Sequence, residues 1–254
     1  MVLSLTALSG HRQHFFQSYL VAYMFWFGIG LGSLAVVMIH HVTKGRWGFV
    51  IQRILEASTK TLPLMALLFV PVGLGIHDLY IWSDPEAVRV DHFLEHKAPF
   101  LNVSFFLGRA VFYFVFWLGV SSLLNRWSNH HDRMPTNSLA GKMRSISGPG
   151  LVGYALTMSF ASIDWIMSLD PHWYSTGYGL IFIVGQVLTT FAFALVILNL
   201  IADEPELKKV ASMERFWDLG NMMFAFVMLW GYMSLSHFLI VWSGNLPEEI
   251  TWYL

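Results

Sequence analysis

The sequence predicts an all-α fold, a polytopic transmembrane helix bundle of six spanning helices with both chain ends on the non-cytoplasmic side. Three observations carry this. Hydrophobic residues fill 56% of the 254 positions and charged residues only 12%, against roughly 25% charged in soluble domains, so a water-soluble fold of this length cannot hide its apolar surface. Six stretches stay uncharged, or nearly so, for about the 20 residues that a helix needs to cross the hydrocarbon. The lysines and arginines between them fall mostly on one side.

In chain order the expected spans are 17–42, 62–82, 101–125 with Arg109 as its one interruption, 149–169 containing Asp164, 176–202, and 216–243 with Asp218 near its start. Together they make residues 1–254 a single transmembrane domain. The longest connection, 126–148, reads as a polar loop, and no connection has room for a soluble domain. Loops after the first, third and fifth spans hold Lys44, Arg46, Arg53, Lys60, Arg126, Arg133, Lys142, Arg144, Lys208, Lys209 and Arg215, whereas the opposite side holds Arg12, Arg89 and Lys97. Cationic loops near a span resist translocation, so the first set is expected to face the cytoplasm.

Packing signals accompany the spans. Gly28, Gly30 and Gly32, with Ser33 beside them, strip bulk from the first span where another helix can approach. Pro71, followed by Gly73 and Gly75, is expected to kink the second and free backbone carbonyls. Trp47, Trp82, Trp127, Trp173, Tyr174, Trp242, Trp252 and Tyr253 fall at expected span ends and read as an interfacial belt.

Composition also excludes. With no cysteine, the chain cannot itself hold disulfides, Cys-ligated zinc, iron–sulfur clusters or covalent c-type haem. A net charge of -1 without a basic patch argues against nucleic acid as a partner. The opening MVLSLTALSG lacks the charged start and full apolar core of a signal peptide and reads as a tail or the stub of a further helix.

Ionisable groups inside a membrane cost at least about 2.5 kcal/mol on insertion scales and so face a partner or a water-filled cavity. Counting 1.5 Å per helical residue from the non-cytoplasmic side puts Arg109 roughly 12 Å deep and Asp164 roughly 8 Å deep, close enough in depth to meet. His77, Asp78, Asp170, His172 and His237 are expected near the same surface, giving a set of proton-path or quinone-proximal candidates. His40, His41 and Asp218 at the cytoplasmic ends, with Gln186 near mid-depth, form a second set for proton access. A buried carboxyl pushed up by desolvation and back down by a nearby arginine is poised to exchange protons, and a histidine beside it titrates near neutrality. The same residues also fit a purely structural ion pair and snorkelling histidines. Haem ligation by His77 or His237 would need a facing histidine at matched depth, and no metal site is expected.

Motifs run through nearly the whole chain: HFFQSYLVAYMFWFGIGLGSLAVVMIHHVTKGRWG, LNVSFFLGR, SIDWIMSLDPHWYSTGY and HFLIVWSGNLPEEITWYL. In that order they resemble the F-type integral membrane subunit of bacterial alternative complex III, a quinol:cytochrome c (or other acceptor) oxidoreductase whose large membrane subunits belong to the NrfD/polysulfide-reductase-type superfamily. The resemblance implies a respiratory complex of the bacterial inner membrane, with quinol oxidised on the periplasmic side. Its implied partners are a second NrfD-like membrane subunit, multihaem cytochrome c and iron–sulfur subunits that carry the haem and clusters, and membrane lipid. This subunit would contribute a quinone-facing or proton-conducting path without a firmly bound cofactor. Asp164, Asp170, His172, Trp173 and Tyr174 match the family's outer-loop motif, Arg109 its LNVxFFxxR motif, and His40 with His41 its HH pair. Family members are longer, with one more helix before the first span and several after Leu254, so the chain reads as a fragment or a shortened version.

Two other classes fit the composition. A transporter or channel for a small polar solute would show paired halves with matching broken helices, and only one Pro/Gly-broken span is visible. A structural anchor for periplasmic electron-transfer subunits would use the acidic segment 84–95 and Glu248 and Glu249 as a docking surface.

Overall fold

A computed structural model describes residues 12–45, 47–134, 136–208, 212–245, 250 and 253. Among them every regular element is a helix, and six helices are long and apolar enough to cross a membrane. The chain is a multi-pass helical membrane protein. Helices suit that solvent because they satisfy every backbone polar group within one segment.

In order, the elements are α1 Arg12–Thr43, α2 Gly48–Thr59, α3 Leu62–Leu68, α4 Val70–Leu74, α5 Ile76–Leu79, α6 Pro85–Val90, α7 His92–Lys97, α8 Val103–Arg133, α9 Asn137–Trp165, α10 Tyr178–Leu200, α11 Pro205–Lys208 and α12 Met213–Gly244. The long helices α1, α8, α9, α10 and α12, and the broken span formed by α2 to α4, reverse direction in turn. One end of the bundle therefore carries Lys44, Lys142 and Arg215 (the basic end). The other carries the segments 75–102 and 166–177 (the acidic end).

At the centre stands α1, with 78% of its apolar stretch buried, against 6% for α12 at the periphery. It packs on α2, α9 and α10. The small-residue stripe explains how closely. A Cβ on Gly32 would overlap the Thr190 side chain and lie 2.9 Å from the Gln186 carbonyl oxygen, so α1 and α10 touch almost backbone to backbone, as small residues permit between membrane helices.

Several expected boundaries move. The second span occupies Gly48–Leu74 rather than 62–82, and Arg53 and Lys60 ride on or beside helix instead of in a loop. Its charges permit this: Arg53 donates to Glu56 one turn away at 2.6 Å, so the helix extends without an isolated cation. The region 126–148 is not a loop either. α8 continues to Arg133, where His130, His131 and Arg133 complement the negative end of the helix dipole, and α9 resumes at Asn137 and runs unbroken through Pro149. Pro63 and Pro71 each occupy the first turn of a short helix, where a missing N–H costs least. Carbonyls near these breaks meet hydroxyls on α1: Tyr19 donates to Leu68 at 2.6 Å, and Tyr23 donates at 3.2 Å to Met65, whose carbonyl also accepts from the Phe69 N–H.

The aromatic belt is also smaller than expected. Trp82 and Trp173 are 3% and 2% exposed and belong to the packed interior, while Tyr174, Trp242 and Tyr253 face outward. Of the other residues invoked from sequence, Arg46, Lys209, Glu248, Glu249 and Trp252 lie outside the described residues, as does the side chain of Lys208.

Candidate functional site

Asn102 caps α8 by accepting from the Phe105 N–H at 2.9 Å, which fixes Arg109 in the second turn. Asp164 is the penultimate residue of α9, approaching the same end from below. The two meet. Arg109 Nε donates to Asp164 Oδ2 and Nη2 to Oδ1, both at 2.8 Å, a bidentate pair. Asp164 is fully buried and the Arg109 side chain only 10% exposed.

The pair is completed on every side. Tyr113, one turn along α8, donates its hydroxyl to Asp164 Oδ2 at 2.8 Å. Arg109 Nη1 donates to the Phe100 carbonyl at 2.9 Å. The guanidinium lies over the rings of Phe100 and Phe105, 3.9 and 4.4 Å from their centroids, and its weak hydration suits such stacking. Below, Trp165 sits among Phe69, Phe114 and Trp117, an apolar floor that keeps water out and strengthens each charge-assisted bond.

Above the pair, the segment 166–177 is clamped. Ser168 donates to the Asp164 carbonyl. Lys97 donates to the Pro171 carbonyl at 2.5 Å. His172 Nε2 lies 2.6 Å from Asp91 Oδ2, while Asp91 also caps α7 by accepting from the Phe93 N–H at 2.9 Å. Desolvation pushes the Asp91 carboxyl up, but the hydrogen bonds from His172 and from the Phe93 and Leu94 amides outweigh it and hold the group below its ordinary 3.8. Burial pulls the Lys97 ammonium down, opposed by the charge of Asp170. Burial, and then the Asp164 charge, push the Tyr80 hydroxyl up, consistent with its place as a donor to the Trp165 carbonyl at 2.8 Å.

Two cavities flank this clamp. One of about 480 Å³ is lined by His96, Lys97, Phe100, Ile163, Ser168 and Tyr174, next to the ion pair. The other, about 350 Å³, lies beyond Trp173 and includes Ser175 and His237.

The expected acidic-end candidates thus share one end of the bundle but not one cluster. Asp170 accepts from the His172 N–H at 3.2 Å and shapes the turn. His77 pairs with Ser83 at 3.1 Å, Asp78 with Arg12 at 3.2 Å, and His237 with Ser175 and Tyr253 at 2.8 and 2.7 Å. With both ring nitrogens so engaged, His237 is poorly placed to ligate haem. At the basic end, His41 Nδ1 lies 3.1 Å from Ser147, and His40 packs on Trp47. Asp218 is exposed on α12. Gln186 is buried and accepts from Tyr154 at 2.9 Å. Among the described residues no three of His, Asp and Glu converge as metal ligands.

Sequence reasoning missed a second buried carboxylate. Glu56, 5% exposed, accepts from Gln52 at 2.8 Å, Arg53 at 2.6 Å and Ser128 at 2.6 Å, and Arg53 also reaches Asp132. The available signal was its isolation: Glu56 is the first carboxylate in the chain.

Neither a protein family nor a curated protein matches the chain.

Proposed function

We propose that this chain is an integral membrane subunit of a respiratory quinol:electron-acceptor oxidoreductase of the alternative complex III type, contributing a quinone-facing or proton-conducting path on the periplasmic side. The single observation that carries the reading is a fully buried Asp164, bonded to Arg109 and Tyr113, whose neighbours Ile163, Ser168 and Phe100 form the wall of a cavity of about 480 Å³ shared with Lys97 and His96. A carboxylate so held can accept a proton when a substrate hydroxyl or a water displaces one of its donors, and Arg109 stabilises the anion when the proton leaves. The basic end faces the cytoplasm, placing this group toward the periplasm. Haem and iron–sulfur chemistry belongs to partner subunits, which dock on the acidic segments of that face.

The test uses the assembled complex. Asp164→Asn and Arg109→Gln should each lower quinol oxidation or proton uptake at least tenfold while the partner subunits still copurify. Unchanged turnover and uptake in both variants would leave the pair a structural clamp. The observation favouring that second reading is that the Asp170 and His172 side chains and the Pro171 carbonyl are all engaged in holding segment 166–177 in place.

A further inference from the structure

A third cavity, about 460 Å³, lies between α1, α10 and α12, away from the Arg109–Asp164 pair. Its walls are mostly apolar, formed by Met24, Phe25, Ile181, Phe182 and Trp230, with the Thr189 hydroxyl turned onto the Gly185 carbonyl and Gln186 as the one buried amide. The amide is oriented. Tyr154 donates to Gln186 Oε1 at 2.9 Å, which turns Nε2 the other way, and Nε2 is buried without a hydrogen-bond partner. A buried donor left unmade costs about 1 to 3 kcal/mol, so such a group marks a place where an acceptor belongs. Next to it is the gap at Gly28, also on the cavity wall: a Cβ there would meet only Gln186 Cγ and Nε2, each at 3.6 Å. Beside Gln186 on α10, Gly185 faces the Trp230 indole, 3.4 Å from where its Cβ would lie.

We propose that this cavity binds a quinone-type isoprenoid lipid, with a ring carbonyl accepting from Gln186 Nε2 in the space above Gly28 and the ring against Trp230. Depth selects the class. Gln186 stands roughly 12 Å along α10 from Tyr178, inside hydrocarbon about 30 Å thick, where the ester carbonyls of a seated phospholipid do not reach but a carbonyl on a wholly apolar body does. The inference goes beyond the proposed function, since binding here requires no turnover at Asp164.

The test is photolabelling of the complex in nanodiscs with a photoactivatable short-chain quinone, beside a phospholipid carrying the same photogroup in its acyl chain. The quinone probe should label the 178–189 and 224–232 peptides saturably, and Gly28→Leu should abolish that labelling. Gln186→Met should weaken half-saturation roughly fivefold, the worth of one neutral hydrogen bond. On the unaltered protein, an analogue lacking the ring carbonyls should bind weaker by the same factor, a comparison that no folding defect can mimic. Non-saturable labelling, equal binding of the carbonyl-free analogue, or the same Gln186 dependence for the phospholipid probe would each overturn the assignment. Loss of turnover in Asp164→Asn with labelling intact, or the reverse, separates this site from the proposed proton path.

Discussion

The guanidinium of Arg109 and the carboxylate of Asp164 lie in a parallel two-bond arrangement, with Nε and Nη2 each 2.8 Å from an oxygen. Their burial makes this contact costly to break by halves. Removing one partner leaves a charge with no water to solvate it, a loss of about 3–5 kcal/mol, whereas removing both leaves none. Arg109→Met and Asp164→Leu should therefore each lower unfolding stability in detergent by that amount. The double variant should cost clearly less than their sum, the non-additivity that a favourable pair interaction gives in the double-mutant cycle. Strict additivity would mean that the pair is not formed in the membrane.

A different balance holds at the basic end. Arg53 bridges a buried Glu56 and a half-exposed Asp132, itself remaining 53% exposed. Losing Asp132 only returns Arg53 to solvent, so Asp132→Ala should change stability by less than about 1 kcal/mol. Losing Arg53 leaves Glu56 buried with neutral donors alone, and Arg53→Ala should cost about 3 kcal/mol. Thermal or chemical unfolding of the two variants side by side checks the asymmetry, and equal effects would contradict it.

The tie between Asp91 and His172 is sensitive to acid. Because the folded carboxyl titrates below 3.8, the folded state takes up its proton later than the unfolded chain does. The tie's contribution is fully present above 3.8 and is lost as pH falls through the lower folded value. Amide exchange at Phe93 and Leu94 should thus stay protected from neutrality down to about pH 4 and rise below it. His172→Ala removes the strongest lowering contact, so the same rise should begin at higher pH. Exchange that rises at the same pH in both proteins would show that His172 does not hold Asp91.

How much of this was readable beforehand follows from the solvent. Lipid makes the existence of six helices plain, since each must be apolar for its full width, yet it erases the one-sided periodicity that marks a buried face in water. Trp82 and Trp173 therefore looked like Trp242, although only the last faces outward. Depth counting brought Arg109 and Asp164 together because both are counted from one end along regular helix. It failed to show that His77, Asp78 and His237 each take partners apart from the Asp170–His172 turn, because short helices and turns between residues 75 and 102 and between 166 and 177 set their positions, and no helical period describes those. Glu56 was hidden by the assumption that a helix stops where charges begin. Arg53 three residues earlier neutralises it and lets the helix continue.

The glycines of α1 and α8 give a prediction that depends on packing alone. Gly32 faces α10, where a methyl group would collide with Thr190 and come within 2.9 Å of the Gln186 carbonyl oxygen, while nothing lies within 4 Å of a Cβ on Gly119. Backbone atoms cannot swing aside as a side-chain tip can, so Gly32→Ala must push α1 and α10 apart, at about 1–3 kcal/mol. Gly119→Ala meets no obstacle and removes helix-disfavouring backbone freedom, so it should leave stability unchanged or raise it by about 0.5–1 kcal/mol. Unfolding measurements on the two variants should move in opposite directions or differ by more than about 1 kcal/mol. A Gly32→Ala protein as stable as its parent would show that α1 and α10 are not in backbone contact, and the oriented Gln186 amide beside Gly28 would lose its basis as well.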